Sequence, residues 1–391
     1  MPSVAGFLLA TLRVKLDPMY LKKTLPLVFS LIMSLAPAAY AKEIHAFIGT
    51  YTDTSSRGIY SVTLDLDTGK LSPATLAAEA TNPSFLAYSP DLKSLYAINE
   101  SGGSVRAFAV AKNHTLRPLG DQPTDAGTPA DLAVDPSGRM VVAAVYGGGA
   151  VVGFPLKKDG SLGGRTAVVK HSGKSVNASR QEAPHAHGVT YSPNGKFVVI
   201  PDLGIDQVKI YRVDGASGQL ATTQSDHLAI EPGSGPRHAA FSQDGKFLYV
   251  INELFSTITV ASFDEKSGAL ATRQTVKTLP PDFKGNSTTA EIAVHPNGRF
   301  VYGSNRGHDS IAVFSRDAKT GALTFVGATL TGGKTPRHFA LTPDGRWLIA
   351  ANQDTDTLVV FKVDGKTGTL TTVGSPVSVP RPVCVRFASY P

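Results

Sequence analysis

The sequence predicts an all-β fold, a seven-bladed β-propeller built from four-stranded antiparallel blades. Three features indicate it: a repeated pair of apolar strands joined by a tight turn, a spacing near 50 residues between repeats, and chain ends that each match part of one blade. The 391 residues include 38 Gly and 26 Pro, and no long helical periodicity is present. Many short strands separated by Gly- and Pro-rich turns are typical of this architecture.

The first 41 residues have the features of a secretory signal. A pair of lysines precedes the apolar run LPLVFSLIMSLA, and the segment ends in the small-x-small pattern Ala39-Tyr40-Ala41. The apolar run is too short to span a membrane. We expect cleavage after Ala41, a single mature domain of residues 42–391, and a periplasmic or secreted location. Met19 is a possible true start of translation.

The repeated unit then begins, and six segments share its pattern. Each has an apolar strand, a turn typically built from Pro, Asn or Asp followed by Gly, and a second apolar strand. The turn position recurs at steps of 46, 57, 50, 53 and 47 residues. A third strand follows, then in most repeats a D-x-x-[ST]-G-type hairpin turn and a fourth strand, which completes a blade. The six segments are 82–100, 128–146, 185–203, 235–253, 289–306 and 335–353.

The two ends of the chain supply the seventh blade. HAFIGTY (45–51) matches a second strand, whereas RPVCVRFASY (381–390) matches a first strand with no second strand after it. We therefore expect these two strands to pair, which closes the ring and removes a free sheet edge.

Two positions in each repeat break the apolar pattern. In an antiparallel pair, the start of the first strand and the end of the second lie at the same edge, so these positions should surround one mouth of the central channel. Several are charged, although packing alone would need only small or apolar residues. The first position holds Ser84, Ala130, His187, Arg237, Ala290 and Arg337, and the second holds Glu100, Tyr146, Leu203, Glu253, Arg306 and Gln353.

Neighbouring polar residues extend this predicted mouth. The loop 165–184 is among the longest in the chain, and long polar loops beside a channel often contribute binding groups. The candidate substrate-binding residues are Arg180, Gln181, His185, His308, Arg337 and Gln353. His238 and His338 lie one residue beyond Arg237 and Arg337, so strand alternation predicts that they point away from these arginines and are structural.

The arginines and histidines predicted at the channel mouth favour an anionic small molecule as the partner. Without residues 1–41, 34 Lys and Arg remain against 30 Asp and Glu, a net charge of +4 that does not support a nucleic-acid partner. Cys384 is the only cysteine in the sequence, so no intramolecular disulfide forms. His185 and His187 could bind zinc, but a catalytic site needs a third ligand and the carboxylates belong to other blades. We expect no metal and no cofactor.

Taken together, several motifs resemble those of the seven-bladed propeller lactonases. That family includes a bacterial 6-phosphogluconolactonase and the fungal carboxymuconate lactonizing enzyme, or carboxymuconate cyclase. The motifs are FIGTYT (47–52), RQEAPHAH (180–187), GPRH (235–238), VINE (250–253), GSNRGHDSI (303–311) and TPRHFALTPDG (335–345). The resemblance covers residues 44–390 and implies a metal-independent site of one histidine, two arginines and one glutamate. The matching residues are His187, Arg237, Glu253 and Arg306.

This site would suit hydrolysis of an anionic or sugar lactone. Hydrolysis needs an activated water and a stabilised oxyanion, so Glu253 or His187 is the candidate base, and the two arginines are the candidate oxyanion or substrate-anion partners. A lactonizing isomerase of the carboxymuconate cyclase type could use the same groups, with the arginines binding carboxylates. A non-catalytic propeller that binds a ligand or protein at this mouth is the third alternative.

Overall fold

The computed structural model describes residues 42–214 and 217–388. Those from Glu43 onward belong to one compact unit and form 28 strands in seven four-stranded sheets, all with antiparallel pairing. The predicted seven-bladed propeller is therefore confirmed. The predicted signal segment 1–41, with Met19, lies outside the described residues. No helix in the described ranges is long and apolar enough to cross a membrane.

The blades are numbered here in chain order. Blade 1 contains β1 (Glu43–Thr50), β2 (Gly58–Asp65), β3 (Thr75–Glu79) and the last strand, β28 (Pro382–Phe387). Blade 2 contains β4 (Leu86–Tyr88), β5 (Ser94–Asn99), β6 (Ser104–Val110) and β7 (Leu116–Pro123). Blade 3 contains β8 (Pro129–Val134), β9 (Met140–Val145), β10 (Ala150–Pro155) and β11 (Ala167–Lys170). Blade 4 contains β12 (Thr190–Tyr191), β13 (Phe197–Asp202), β14 (Gln207–Asp214) and β15 (Gln219–Ala229).

The remaining blades follow the same order from the innermost strand outward. Blade 5 contains β16 (Pro236–Phe241), β17 (Phe247–Asn252), β18 (Thr257–Phe263) and β19 (Leu270–Lys277). Blade 6 contains β20 (Thr288–Val294), β21 (Phe300–Arg306), β22 (Ser310–Arg316) and β23 (Leu323–Leu330). Blade 7 contains β24 (Pro336–Leu341), β25 (Trp347–Asn352), β26 (Thr357–Val363) and β27 (Leu370–Ser378). Short 3-10 turns lie at Tyr146–Gly148 and Gln353–Thr355.

The two ends of the chain share blade 1. Strand β28 pairs antiparallel with β1, in a register that sets Ala46 opposite Phe387 and Gly49 opposite Cys384. The innermost strand of this blade therefore comes from the end of the chain and the other three from its beginning. This pairing confirms the predicted closure of the ring.

The core lies between adjacent blades. Every residue of β9, β13, β17 and β25 is buried, because a second strand is covered on both faces by neighbouring sheets. The outermost strands alternate between exposed and partly buried residues, as in β19 and β27. Burial therefore falls from the second strands to the outermost strands, and the innermost strands line the channel.

Irregular pairing in the innermost strands determines which side chains reach the channel. In blade 5 the register shifts between Pro236 and His238, and in blade 7 it shifts between Pro336 and His338. The extra residue of each bulge is an arginine, Arg237 or Arg337. Bulges redirect side chains locally, so regular alternation does not hold at these positions.

Candidate active site

A cavity of about 260 Å³ lies where the starts of the innermost strands meet the ends of the second strands. It receives side chains from blades 2 to 7, so residues distant in sequence face one another across the channel. Its lining consists of Glu100, Ala130, Tyr146, Arg180, His187, Glu253, Arg306 and Arg337. Arg237 lies directly against this lining, because it forms an ion pair with Glu253. The structure therefore brings together the four residues predicted to be catalytic.

Glu253 is the centre of a buried ion cluster. Arg180 Nη2 lies 2.7 Å from Glu253 Oε1, and Arg306 Nη2 and Arg237 Nε lie 3.0 and 3.1 Å from Oε2. Burial would raise the pKa of Glu253, but the charges of Arg306, Arg237 and Arg180 outweigh it and hold the pKa at about 2. Glu253 is therefore an ionised counterion at neutral pH.

His187 is a neutral imidazole at the same wall. Its side chain is buried, and burial together with the nearby positive charge of Arg237 holds its pKa well below the usual 6.5. The Nδ1 atom is buried without a hydrogen-bond partner. The ring meets Tyr146 edge-on at a centroid distance of 5.4 Å, which fixes its orientation in the cavity. A neutral imidazole of this kind can accept a proton.

Arg180 reaches the cavity from the entry loop, defined as residues 171–186, because part of the predicted loop 165–184 forms strand β11. Asp206 anchors this loop, because its Oδ2 accepts hydrogen bonds from Ser175 Oγ at 2.5 Å and from Gln181 Nε2 at 2.8 Å. Asp202 holds the end of the loop, accepting from the backbone N–H of His185 at 2.7 Å. These contacts position the Arg180 guanidinium over Glu253.

Four predicted substrate-binding residues are not among the side chains that line this cavity. Gln181 is fully buried and binds Leu203 O and Asp206, so its position does not support a substrate contact. His185 stacks behind Tyr146 at a centroid distance of 4.4 Å. His308 contacts Ser310 and Phe283, and Gln353 contacts Asp354. Arg180 and Arg337 are the two predicted binding residues that do line the cavity.

The opposite wall of the cavity contains Glu100, which the repeat pattern placed at the channel mouth but which was not among the predicted catalytic or binding residues. Ser84 Oγ and Tyr51 OH donate hydrogen bonds to its two carboxylate oxygens, the latter at 3.3 Å. Arg337 lies over the Tyr51 ring at 5.4 Å from its centroid. A signal for Glu100 was present, since AINE (97–100) and VINE (250–253) end their strands in the same way.

His238 and His338 line the same small cavity as Arg237 and Arg337, which corrects the expectation that they point away from the arginines. Arg237 Nη1 lies 3.3–3.4 Å from both ring nitrogens of His238, because the bulge at Arg237 lets consecutive residues face the same side. Glu291 Oε2 lies 3.0 Å from His238 Nδ1 and 3.2 Å from His338 Nε2. Both histidines are buried within this network, in agreement with a structural role.

A second cavity of about 450 Å³ lies on the far side of these histidines, toward the other mouth of the channel. Asp131, Glu291 and Arg386 contribute its charged lining. Burial raises the pKa of Asp131 to about 8, although its oxygens accept hydrogen bonds from the backbone N–H groups of Leu132 and Val189. In residues 42–214 and 217–388, no three His, Cys, Asp or Glu side chains are grouped so as to hold a metal ion.

Comparison with known proteins identifies the family. Residues 45–387 match the family model described as "Lactonase, 7-bladed beta-propeller". The chain is 40% identical over 345 residues to a 6-phosphogluconolactonase of Bacillus subtilis. This alignment covers 87% of this chain and 97% of that protein.

Solved structures show the same relationship. A putative 6-phosphogluconolactonase from Bacteroides fragilis aligns with a TM-score of 0.85 and 35% identity, over 90% of this chain and all of that one. The periplasmic gluconolactonase of Pseudomonas aeruginosa aligns with a TM-score of 0.83 and 32% identity, over 89% of this chain and all of that one. The chain belongs to the lactonase family of seven-bladed β-propeller enzymes.

Proposed function

We propose that this chain is an exported lactonase that hydrolyses a sugar or anionic lactone in the 260 Å³ cavity. The observation that carries the proposal is a neutral, buried His187 in a cavity that arginines also line. Acyl transfer to water needs a proton acceptor beside a cationic group, and this wall contains both. The lactonase family model and the lactonase relatives support the same chemistry.

His187 is the better supported general base. It would take a proton from a water molecule as the water oxygen attacks the lactone carbonyl carbon. The negative charge that develops on the carbonyl oxygen would be stabilised by Arg306, with Arg237 contributing from beneath. Collapse of this intermediate breaks the ring C–O bond, and the proton on His187 passes to the leaving ring oxygen. Glu253 is less suited to be the base because its pKa is about 2 and three arginines surround it.

A lactonizing isomerase of the carboxymuconate cyclase type is the second candidate. It is favoured by one observation, the presence of Arg180, Arg306 and Arg337 around a single cavity. Such a set of cations could bind two carboxylates, with His187 transferring the proton. A purely ligand-binding propeller is disfavoured by the lactonase family model and by the lactonase relatives.

The test is a panel of lactones and carboxylated muconates offered to purified residues 42–391. Lactone opening is followed by acid release and muconate cyclisation by ultraviolet absorbance. We expect acid release on sugar lactones and a loss of about 10²–10⁴-fold in His187→Ala. His227→Ala, a partly exposed histidine paired with Asp226, is the matched control and should retain activity. Cyclisation of muconates without lactone hydrolysis would instead establish the second candidate.

Export determines which lactone is available. Secretion would separate the protein from cytoplasmic 6-phosphogluconolactone. We therefore favour an unphosphorylated sugar lactone, or an anionic lactone other than 6-phosphogluconolactone. The Pseudomonas aeruginosa relative, described as a periplasmic gluconolactonase, supports this location. Mass spectrometry of a periplasmic or secreted fraction should find Lys42 at the N-terminus. An uncleaved chain retained in the cytosol would refute the export proposal.

A further inference from the structure

The two carboxylates of the cavity differ in their hydrogen-bond partners. Glu253 is surrounded by three guanidinium groups. Glu100, in contrast, has only hydroxyl partners, Ser84 and Tyr51, and no Lys, Arg or His nitrogen of the described residues lies within 4.0 Å of it. A carboxylate has about four acceptor positions, so two hydroxyl donors leave part of this capacity unused. Glu100 is only partly buried and lines the cavity, where a ligand can reach it.

Arg337 is the matching donor on this wall. It lines the same cavity, and no carboxylate of the described residues lies within the 4.0 Å of an ion pair. Its guanidinium carbon lies 5.4 Å from the centroid of the Tyr51 ring, a cation–π distance. A guanidinium has five N–H donors, so even with one donated to Tyr51, others remain able to donate to a ligand. Glu100 and Arg337 therefore offer an unsaturated acceptor and an unsaturated donor close to one shared residue, Tyr51.

We propose that Glu100 is a specificity-determining residue that, with Arg337, binds the ring hydroxyl groups of the lactone. Glu100 accepts from a hydroxyl and Arg337 donates to its neighbour, while the carbonyl carbon faces His187 across the cavity. The inference rests on the proposed lactonase function. It assigns a role in substrate selection to a residue outside the His187, Arg237, Glu253 and Arg306 set. A site that hydrogen-bonds a substrate hydroxyl discriminates strongly against an analogue without that hydroxyl, because the polar groups of the site then lack a partner.

The test compares two six-membered lactones that differ in their hydroxyl groups, D-glucono-δ-lactone and δ-valerolactone. For each we would measure kcat/KM with the wild type and with Glu100→Gln, which keeps the shape but removes the charge. The ratio of kcat/KM for the hydroxylated over the plain lactone should fall by about 10- to 100-fold in the variant, the effect of losing hydrogen bonds to a charged group. A purely structural role for Glu100 would lower both rates equally and leave the ratio unchanged, which would overturn the inference.

Two further variants keep the test decisive. Glu182→Gln changes an exposed carboxylate that pairs with His185 outside the cavity lining, and its ratio should equal that of the wild type. Ser84→Ala removes a buried hydroxyl that holds Glu100, and it should lower the ratio in the same direction even if Glu100→Gln does not fold. A wild type inactive on all lactones would refute the proposed function itself. If the wild type is active and neither Glu100→Gln nor Ser84→Ala lowers the ratio of kcat/KM for the two lactones, only the hydroxyl subsite is refuted.

Discussion

At the residue scale, Glu253 and His187 share one cavity but differ in protonation, because burial favours the neutral form of both and only Glu253 has opposite charges to overcome it. Both side chains are almost inaccessible to solvent. Three arginines keep Glu253 ionised despite its burial, whereas burial, with the nearby charge of Arg237, keeps His187 neutral. The sequence could place both residues at one mouth of the channel but left the choice of base open. Their protonation depends on neighbours from blades 4, 5 and 6, and that proximity has no local sequence signal.

The neutral state of His187 predicts the pH dependence of activity. Only the unprotonated imidazole can accept a proton, so activity is lost as the pH falls through its pKa in the free enzyme. Because that pKa is well below 6.5, kcat/KM should stay constant between pH 8 and pH 6 and fall only at more acidic pH. A pH-stat assay corrected for spontaneous hydrolysis measures this. A decline centred near pH 6.5 would contradict the role of His187.

Glu253→Gln should destabilise the protein as well as inactivate it. Removing the only carboxylate of the cluster leaves buried guanidinium groups unpaired, which typically costs about 3–5 kcal/mol. The folded-state pKa of about 2 lies below the ordinary 4.5, so this contribution is complete above pH 4.5 and disappears as the pH falls toward 2. Urea denaturation should show a large difference from the wild type at pH 7 and a smaller one at pH 3. Glu265→Gln, in an exposed turn, should show little difference at either pH, and a constant gap for Glu253→Gln would refute this assignment.

At the scale of the structural element, the hairpins could be predicted from the sequence, but the bulges could not. Alternating apolar residues and Gly-containing turns identify the strands because side chains in a strand alternate with period 2. A bulge adds one residue without changing the composition of the strand. Regular alternation therefore predicted the wrong orientation for His238 and His338 relative to Arg237 and Arg337. The contact between Arg180 and Glu253 could not be predicted from the sequence either, because the entry loop is held by hydrogen bonds to Asp206, which is distant in sequence.

The D-x-x-[ST]-G turns also join neighbouring blades. In blade 6 the turn glycine, Gly321, has φ +72°, and its carbonyl accepts a hydrogen bond from Tyr249 OH of blade 5 at 3.0 Å. A Cβ at Gly321 would lie 2.4 Å from Phe247 Cδ1, so little space remains for a side chain. The recurrence of this motif therefore reflects packing between blades.

Gly321→Ala is expected to lower the free energy of unfolding through two effects. The left-handed backbone costs an alanine about 1–2 kcal/mol, and the contact with Phe247 adds about 1–3 kcal/mol. Gly374→Ala is the matched control, since Gly374 has φ +67° and no heavy atom lies within 4 Å of the position that its Cβ would occupy. It should show the backbone cost alone. Equal losses in the two variants, measured by urea denaturation, would show that the contact with Phe247 is unimportant.

At the scale of the whole molecule, the sequence predicted blade number and closure because the repeat length is regular. Seven innermost strands are needed to surround the channel, and only β28 completes blade 1. The same closure supports the site. His338 accepts a hydrogen bond from the backbone N–H of Val385 in β28 and lies beside Glu291 of blade 6. The end of the chain thus contributes to the polar network beneath Arg237.

Deletion of residues 381–391 should therefore affect both stability and the site. It removes β28, exposes the edge of β1, and takes away Val385 and Cys384 from the core between neighbouring blades. We expect a lower melting temperature, a less cooperative transition, and reduced activity of whatever protein remains folded, because His338 loses the hydrogen bond from Val385. Deletion of residues 389–391 alone is the control, since it leaves β28 intact. Thermal unfolding followed by circular dichroism would compare the three chains, and a melting curve for the longer deletion that matches full length would contradict stabilisation by closure of the ring.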